Sequence, residues 1–336
     1  MQTLNDTILT IKDLRVHYEL EEETVKAVNG LSLSLKKGQT IALVGETGAG
    51  KTTTALSIMR LVQSPPGVIK EGSIMLCDND MLALPTHKLE DIRGKDVSMI
   101  FQDPMTSLNP VFTVSEQIAE SLRLHEGLTK DQAHEKALEI MERVGISRSR
   151  GNDYPFQFSG GMRQRVGIAI ALACNPKVLI ADEPTTALDV TIQAQVLTLM
   201  KNLINEYQMG MILITHDLGI VADICDEVAI MYAGKIVEQG SLEEVFNRTL
   251  HPYTEGLFNS LPNINLRDIE LQPIPGLMPD PTNLPPGCAF WPRCSYAFEN
   301  CKNREPELLF YEGTHFVACL AYESEDFHIK RGINNG

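Results

Sequence analysis

The chain has 336 residues, of which 29 are Lys or Arg and 44 are Asp or Glu, so its formal net charge is −15. This charge repels nucleic-acid backbones and anionic lipid headgroups at long range, so nucleic acid is not an expected partner. The N-terminus lacks the basic and apolar regions of a signal peptide, and no stretch approaches the roughly 18 apolar residues of a membrane span. We therefore expect a cytoplasmic protein without disulfides.

Residues 8–246 alternate between strand-like apolar runs and amphipathic helical segments, which is typical of an α/β domain. Three short apolar runs predict strands that are buried on both faces. They are "TIALV" (residues 40–44), "KVLIA" (residues 177–181) and "MILIT" (residues 211–215).

Between residues 104 and 158 helical signals dominate, which indicates a helical insertion in the α/β domain. Thr129 and Gln132 have the spacing of a capping box at the start of one of its helices. Further on, "EVAIMYAGKIVEQG" predicts a hairpin that turns at Ala233 and Gly234.

The composition changes near residue 250. Ser241 and Glu244 predict a second capping box, and "HPYT" follows at residues 251–254. Residues 271–287 then contain six prolines and have no helical period, so we expect a linker or an extended wrapping segment there. A cysteine-rich region follows it.

The segment "GETGAGKT" matches the phosphate-binding loop pattern and lies between a predicted strand and a predicted helix. Its glycines let backbone N–H groups converge on phosphates at a helix N-terminus. Lys51 would neutralise the β- and γ-phosphates of ATP, and the Thr52 hydroxyl would ligate Mg²⁺. The residues assigned to the nucleotide here are Gly45, Glu46, Thr47, Gly48, Ala49, Gly50, Lys51, Thr52 and Thr53.

The segment "VLIADEP" ends a buried strand in two carboxylates, which is the expected second half of a nucleotide site. Asp182 would hold Mg²⁺ directly or through water, and Glu183 could activate the attacking water as general base. A pair of solvated acids at a strand end is the alternative explanation.

The segment "FQFSGGMRQRV" places a serine and two glycines at a helix start, where they could bind a second phosphate. Because the first loop already binds phosphate within one chain, a second phosphate-binding segment implies that a second chain takes part. Ser159, Gly160 and Gly161 resemble the signature loop of ATP-binding cassette (ABC) ATPases, in which each protomer's signature closes over ATP held by the other.

The resemblance to ABC ATPases implies roles for further residues. Tyr18 resembles the aromatic residue that stacks on adenine, and Gln102 the glutamine that contacts Mg²⁺ and the hydrolytic water. Asp189 in "TALD" resembles an aspartate at the dimer seam, and His216 in "LITHD" a histidine that faces the γ-phosphate. The implied catalytic set is Glu183, His216 and Gln102.

The same resemblance implies the architecture: an ABC-type P-loop NTPase with a RecA-like core, an antiparallel β subdomain and a helical subdomain. We predict a nucleotide-binding domain over residues 1–250, with the helical subdomain at about 103–158. A small cysteine-rich C-terminal extension is predicted over residues 251–336.

Five segments together resemble one branch, the ATPase subunits of bacterial dipeptide and oligopeptide importers. They are "FQDPMTSLNP", "FSGGMRQRV", "ADEPTTALDVTIQAQV", "HPYT" and the terminal cysteines. The implied partners are a second ATPase subunit, identical or paralogous, and two transmembrane permease subunits fed by an extracytoplasmic peptide-binding protein. The implied place is the cytoplasmic face of the membrane. A nickel importer of the same family, a soluble ABC ATPase and an iron–sulfur redox enzyme are the alternatives.

Four of the seven cysteines lie in the last fifty residues: Cys288, Cys294, Cys301 and Cys319. Structural zinc usually needs cysteines two to four residues apart, whereas wider loops suit a larger inorganic core. Cys₄ ligation suits a [4Fe–4S] cluster, which the resemblance to peptide-importer ATPases also implies. Zinc and four unmetallated buried thiols stay open as alternatives.

Overall fold

A computed structural model describes residues 6–103, 107–186, 188–260, 273–324, 327 and 329. Two β-sheets form its framework. Its strands are β1 Thr7–Glu19, β2 Thr24–Lys36, β3 Thr40–Val44, β4 Gly67–Leu76, β5 Asn79–Asp80, β6 Val97–Ile100, β7 Val178–Asp182, β8 Gly210–Thr215, β9 Glu227–Tyr232, β10 Lys235–Ser241, β11 Leu309–Glu312 and β12 His315–Val317.

Helices cover the sheets and form the insertion. They are α1 Lys51–Ile58, α2 Thr86–Ile92, α3 Val114–Glu126, α4 Lys130–Arg143, α5 Gly160–Leu172, α6 Val190–Tyr207, α7 Leu218–Ile224, α8 Leu242–Asn247, α9 Pro252–Asn259 and α10 Glu299–Asn303. Among the described residues, no helix is both long enough and apolar enough to span a membrane.

The larger sheet has the order β11-β12-β10-β9-β3-β8-β7-β6. Strands β6, β7, β8, β3 and β9 are parallel, and β3, β7 and β8 are buried along their whole length. Continuous apolar runs suit this position because both faces of a parallel sheet are covered. The three strands predicted from the sequence are therefore confirmed, each within one residue. The carboxyl ends of these five parallel strands meet at one edge, where ligands bind in open α/β sheets.

Local signals set the turns and helix starts as predicted. The hairpin between β9 and β10 turns at Ala233 and Gly234, which both have positive φ, at 47° and 81°. Thr129 caps α4 through a reciprocal bond with Gln132, and α3 and α4 form the helical insertion. The second capping box, at the start of α8, is also present.

The smaller sheet has the order β2-β1-β4-β5 and is antiparallel throughout. One of its faces packs into an apolar cluster that also contains α1 and side chains of the central strands. This sheet is the antiparallel β subdomain that the resemblance implied.

The C-terminal region continues the larger sheet. Strand β12 pairs with β10, so chain from beyond residue 300 extends the sheet that holds β3. Helix α9, which begins in the "HPYT" segment, buries Tyr253 completely in the main apolar cluster. Residues 273–287 form no helix or strand, as the proline-rich pattern predicts, while residues 271 and 272 lie outside the described part. Among the described residues that follow position 250, strand β12 and helix α9 are therefore packed against the rest of the domain.

The buried carboxylate of Glu238 on β10 joins these segments. It accepts hydrogen bonds from the N–H groups of Leu250 and His251, at 2.7 and 2.9 Å. His315 Nε2 on β12 lies 2.8 Å from the same carboxylate, and neither Glu238 nor His315 is exposed to solvent. The Glu238 side chain thus connects the start of α9 to strand β12.

Candidate functional site

The predicted phosphate-binding loop connects β3 to α1 at the carboxyl edge of the large sheet. Gly50 has φ of +100°, and a Cβ there would lie 2.2 Å from the carbonyl oxygen of Ala27. A Cβ on Gly45 would lie 2.2 Å from the carbonyl oxygen of Met231. Glycine is therefore required at both positions, because the loop passes directly over the backbone of two neighbouring strands.

Lys51, the first residue of α1, is bent back over the loop. Its Nζ donates to the carbonyl oxygens of Gly45 at 2.7 Å and Glu46 at 3.0 Å. Burial lowers the pKa of Lys51, and the nearby Glu183 and Asp182 carboxylates oppose that shift. An ammonium group held in this way is a preformed partner for phosphate oxygens.

Asp182 ends β7 with a carboxylate that is almost fully buried. Its Oδ1 has no hydrogen-bond partner among the described residues. Burial raises the pKa of Asp182, and a hydrogen bond from Thr52 opposes the rise. A buried carboxylate oxygen without a partner, next to a hydroxyl, is a donor set that fits Mg²⁺.

Glu183 lies next to it with φ of +46°, in the left-handed region that non-glycine residues rarely adopt. Its carboxylate contacts Gln102 Nε2 at 2.9 Å, the Thr186 hydroxyl at 3.0 Å and His216 Nδ1 at 3.1 Å. Burial raises the pKa of Glu183, but the hydrogen bonds from His216 and Thr186 outweigh it, so the net pKa is lowered. Glu183 is therefore an ionised carboxylate at neutral pH.

Two further predicted residues lie beside these groups. The Tyr18 hydroxyl on β1 is 3.3 Å from the Thr53 hydroxyl on α1, so the aromatic ring lies next to the loop. Asp189 caps α6 by accepting from the N–H of Ile192 at 3.0 Å. The structure thus brings Tyr18, Gln102, Glu183 and His216 to the same edge as the loop.

The predicted signature residues stay apart from this group. Ser159 caps α5 by accepting from the N–H of Met162, and both Ser159 and Gly160 are exposed. In the described part of the chain, no hydrogen bond or ion pair joins residues 159–161 to residues 45–53. A Cβ on Gly161 would lie 2.4 Å from Ile192, so this glycine permits close packing of α5 on α6.

The loop has two further partners that the sequence did not predict. Tyr253 of "HPYT" accepts a hydrogen bond from the N–H of Glu46 at 2.9 Å. Arg293, next to a predicted cysteine ligand, pairs with the Glu46 carboxylate through both terminal nitrogens, at 2.6 and 3.0 Å. The "HPYT" segment is recognisable in the sequence, but nothing in it indicates a contact with the phosphate-binding loop.

The four C-terminal cysteines line one small cavity of about 20 Å³, together with His251, Trp291 and other largely apolar residues. All four are free thiols. Burial raises the pKa of Cys294 to about 12 and that of Cys319 to about 11. The Cys294 and Cys319 thiols are therefore neutral at pH 7, and a metal must displace their protons to bind.

The structure does not support the predicted metal site. Among the residues described, no group of three or more His, Cys, Asp or Glu side chains is placed to hold a metal ion. Neither the predicted [4Fe–4S] cluster nor the zinc alternative therefore has a preformed site in this part of the chain.

Comparison with known families matches most of the chain. A family described as "ABC transporter" matches residues 28–186, and one described as "Oligopeptide/dipeptide transporter, C-terminal region" matches residues 237–301. The second match includes "HPYT" and three of the four C-terminal cysteines.

Individual relatives and structures agree with these matches. The chain is 50% identical over 321 residues to the oligopeptide transport ATP-binding protein AppD of Bacillus subtilis (strain 168), covering 95% of this chain and 98% of AppD. It is 46% identical over 310 residues to OppD of Salmonella typhimurium (strain LT2), covering 92% of each chain. The dimeric post-hydrolysis structure of the ATP-binding cassette MJ0796, bound to ADP and Pi, superposes with a TM-score of 0.63 at 27% identity over 70% of this chain and 98% of that one. The chain therefore belongs to the ABC transporter ATPase family and, within it, to the oligopeptide transport ATP-binding proteins.

Proposed function

We propose that this chain is the ATP-hydrolysing subunit of a membrane importer for dipeptides or oligopeptides. The observation that carries the proposal is the convergence of the Lys51 loop, Asp182 and the Glu183 network at one sheet edge. The names of the relatives, oligopeptide transport ATP-binding proteins, support the transported class.

Binding of ATP follows from the loop. The N–H groups of residues 45–50 and the positive end of α1 are placed for phosphate oxygens, and Lys51 adds a full positive charge. Tyr18, beside Thr53, is placed to stack on the base. Thr52, Gln102 and Asp182 are the residues that would hold Mg²⁺, which would neutralise charge on the phosphates.

Hydrolysis depends on Glu183. Its lowered pKa keeps the carboxylate able to accept a proton from the attacking water. Gln102 and His216 fix this carboxylate by hydrogen bonds. In the proposed mechanism they would also orient the water and the γ-phosphate. These groups position the reactants and stabilise charge, and no covalent intermediate with the protein is needed.

The signature residues complete the site from a second molecule. Ser159 and Gly160 are exposed and have no bond to the loop of their own chain, as expected if they bind the phosphates of ATP in a partner. We infer a sandwich of two ATPases, formed by two copies or by this chain and a paralogue. The sandwich would act beneath two permease subunits at the cytoplasmic face of the membrane, supplied by an extracytoplasmic peptide-binding protein.

Transport provides the test of this function. The chain with its permease partners, reconstituted in liposomes, should take up a radiolabelled peptide when ATP and the peptide-binding protein are present. Lys51→Ala should abolish uptake because ATP affinity falls at least about tenfold when the charge-assisted contacts to phosphate are lost. Lys201→Ala, an exposed lysine far along α6, is the matched control. Uptake of nickel in place of peptide would contradict the peptide assignment.

For the C-terminal extension, residues 251–336, we propose a [4Fe–4S] cluster on Cys288, Cys294, Cys301 and Cys319. The observation that supports it is that all four cysteines line one cavity. The cluster would cross-link a region that is rich in proline and has few regular elements.

Anaerobic purification tests the cluster. We expect a broad cysteinyl-iron absorbance and about four iron atoms per chain. Cys301→Ser should lose both, whereas Cys225→Ser should keep them because this buried cysteine lies in the cassette, away from the cavity. One zinc and no iron per chain would contradict the assignment.

A further inference from the structure

The second residue of the phosphate-binding loop is a carboxylate, Glu46, and its only ion-pair partner in the described part of the chain is Arg293. The two guanidinium nitrogens of Arg293 lie 2.6 and 3.0 Å from the two carboxylate oxygens. The Arg293 side chain is 6% exposed and that of Glu46 is 30% exposed. The pair is therefore bidentate and largely shielded from solvent, which is the geometry of strong charge-assisted hydrogen bonds.

The backbone of Glu46 is held as well. Its N–H donates to the hydroxyl of Tyr253, which is fully buried. The Tyr253 ring packs against Tyr232 and Phe290, with ring centroids 4.6 and 5.4 Å away. Backbone and side chain of Glu46 are thus both fixed by chain that follows residue 250.

Arg293 is itself rigidly placed. Its Nε donates to the carbonyl oxygen of Pro275 at 2.9 Å, and a terminal nitrogen lies 3.4 Å from the Tyr232 hydroxyl. It ends the 3₁₀ turn Trp291–Arg293, and the next residue is Cys294 of the cysteine-lined cavity. Pro275 and Tyr232 therefore fix the arginine, which directly precedes a residue that lines this cavity.

Electrostatics explain why the pair matters for nucleotide. A carboxylate in this loop lies close to where several phosphate charges must bind, and like charges repel strongly at short range in a partly buried site. Arg293 neutralises that carboxylate. It also fixes the orientation of the carboxylate through two hydrogen bonds.

We propose that Arg293 is a positioning residue for the phosphate-binding loop, so that the C-terminal extension forms part of the nucleotide site. This proposal rests on the nucleotide site described above. It assigns to the extension a role in ATP binding, exerted through the charge and the orientation of Glu46.

Nucleotide titration of the full chain tests this role, with Glu183→Gln in every variant so that ATP is not consumed. Arg293→Met should weaken ATP binding by about tenfold or more, because it leaves the Glu46 carboxylate unpaired beside the phosphates. Adding Glu46→Gln should restore affinity to within about threefold of the parent, because the neutral amide no longer repels. The loss in Arg293→Met should also shrink in 1 M salt, since salt screens the repulsion.

The controls separate the possible failures. Arg304→Met removes an arginine of the same extension that pairs with Glu323 instead, and it should bind ATP like the parent. Arg293→Lys keeps the charge without the bidentate geometry and should lose less affinity than Arg293→Met.

Several outcomes would overturn the proposal. Arg293→Met could bind ATP as tightly as Arg304→Met, or Glu46→Gln could fail to restore its affinity. If Arg293→Met does not fold, Arg293→Gln takes its place as the uncharged variant, and ATP affinity equal to that of Arg304→Met would overturn the proposal equally. Normal ATP binding by Lys51→Ala would instead remove the nucleotide site on which the proposal rests.

Discussion

Replacing Glu183 with Gln is expected to lower ATP hydrolysis by about 10²- to 10⁴-fold while ATP binding is retained, as for the loss of a general base. The amide has the shape of the carboxylate and can still accept the hydrogen bond from Gln102. It cannot take a proton from water. The measurement is phosphate release under saturating ATP together with equilibrium binding of ATP by the same protein.

Glu206→Gln is a matched control, because this glutamate is exposed on α6 and forms an ion pair with Arg143, which is also exposed. It should hydrolyse ATP at the parental rate. If Glu183→Gln also hydrolysed ATP at nearly the parental rate, Glu183 would not be the general base. His216 would then become the candidate, and His216→Ala would have to cause the larger loss.

Replacing Glu238 with Leu is expected to destabilise the C-terminal part of the sheet by about 3 to 5 kcal/mol. The change leaves the N–H groups of Leu250 and His251 buried without an acceptor, and it removes the neighbour of His315 Nε2. An apolar side chain of similar size fills the space, so unsatisfied donors and not a cavity cause the loss.

Hydrogen exchange measures this effect locally. Protection of the amides of residues 250, 251 and 317 should fall by about a hundredfold or more in Glu238→Leu. Glu312→Gln, on the neighbouring β11 and about half exposed, should leave this protection unchanged. Unchanged protection in Glu238→Leu would show that the buried carboxylate does not hold the segments together.

The sequence predicts those features that depend on neighbours in the chain. The strand "TIALV", the glycine pattern before Lys51 and the capping box at Thr129 are all local, and the structure has each of them where predicted. The carboxylates of "ADEP" could be placed at the sheet edge because a buried strand ends there. Their assigned roles stay predictions until the variants are measured.

Contacts between distant residues could not be predicted in this way. Arg293 and Glu46 are 247 positions apart, and no periodicity or spacing links a lone arginine to a particular carboxylate. The pairing of β12 with β10 could not be predicted from the sequence either, because β12 has only three residues and its apolar content is ordinary. The hydrogen bond from Gln102 to Glu183 required the strand order, which places β6 next to β7.

The separation between Glu46 and its arginine also has a consequence for biosynthesis. The loop leaves the ribosome early in translation, whereas Arg293 and Tyr253 are made after most of the chain has been synthesised. A nascent cassette therefore carries a phosphate loop whose carboxylate lacks its arginine partner. The loop acquires its final geometry only when the last fifth of the polypeptide has emerged and docked.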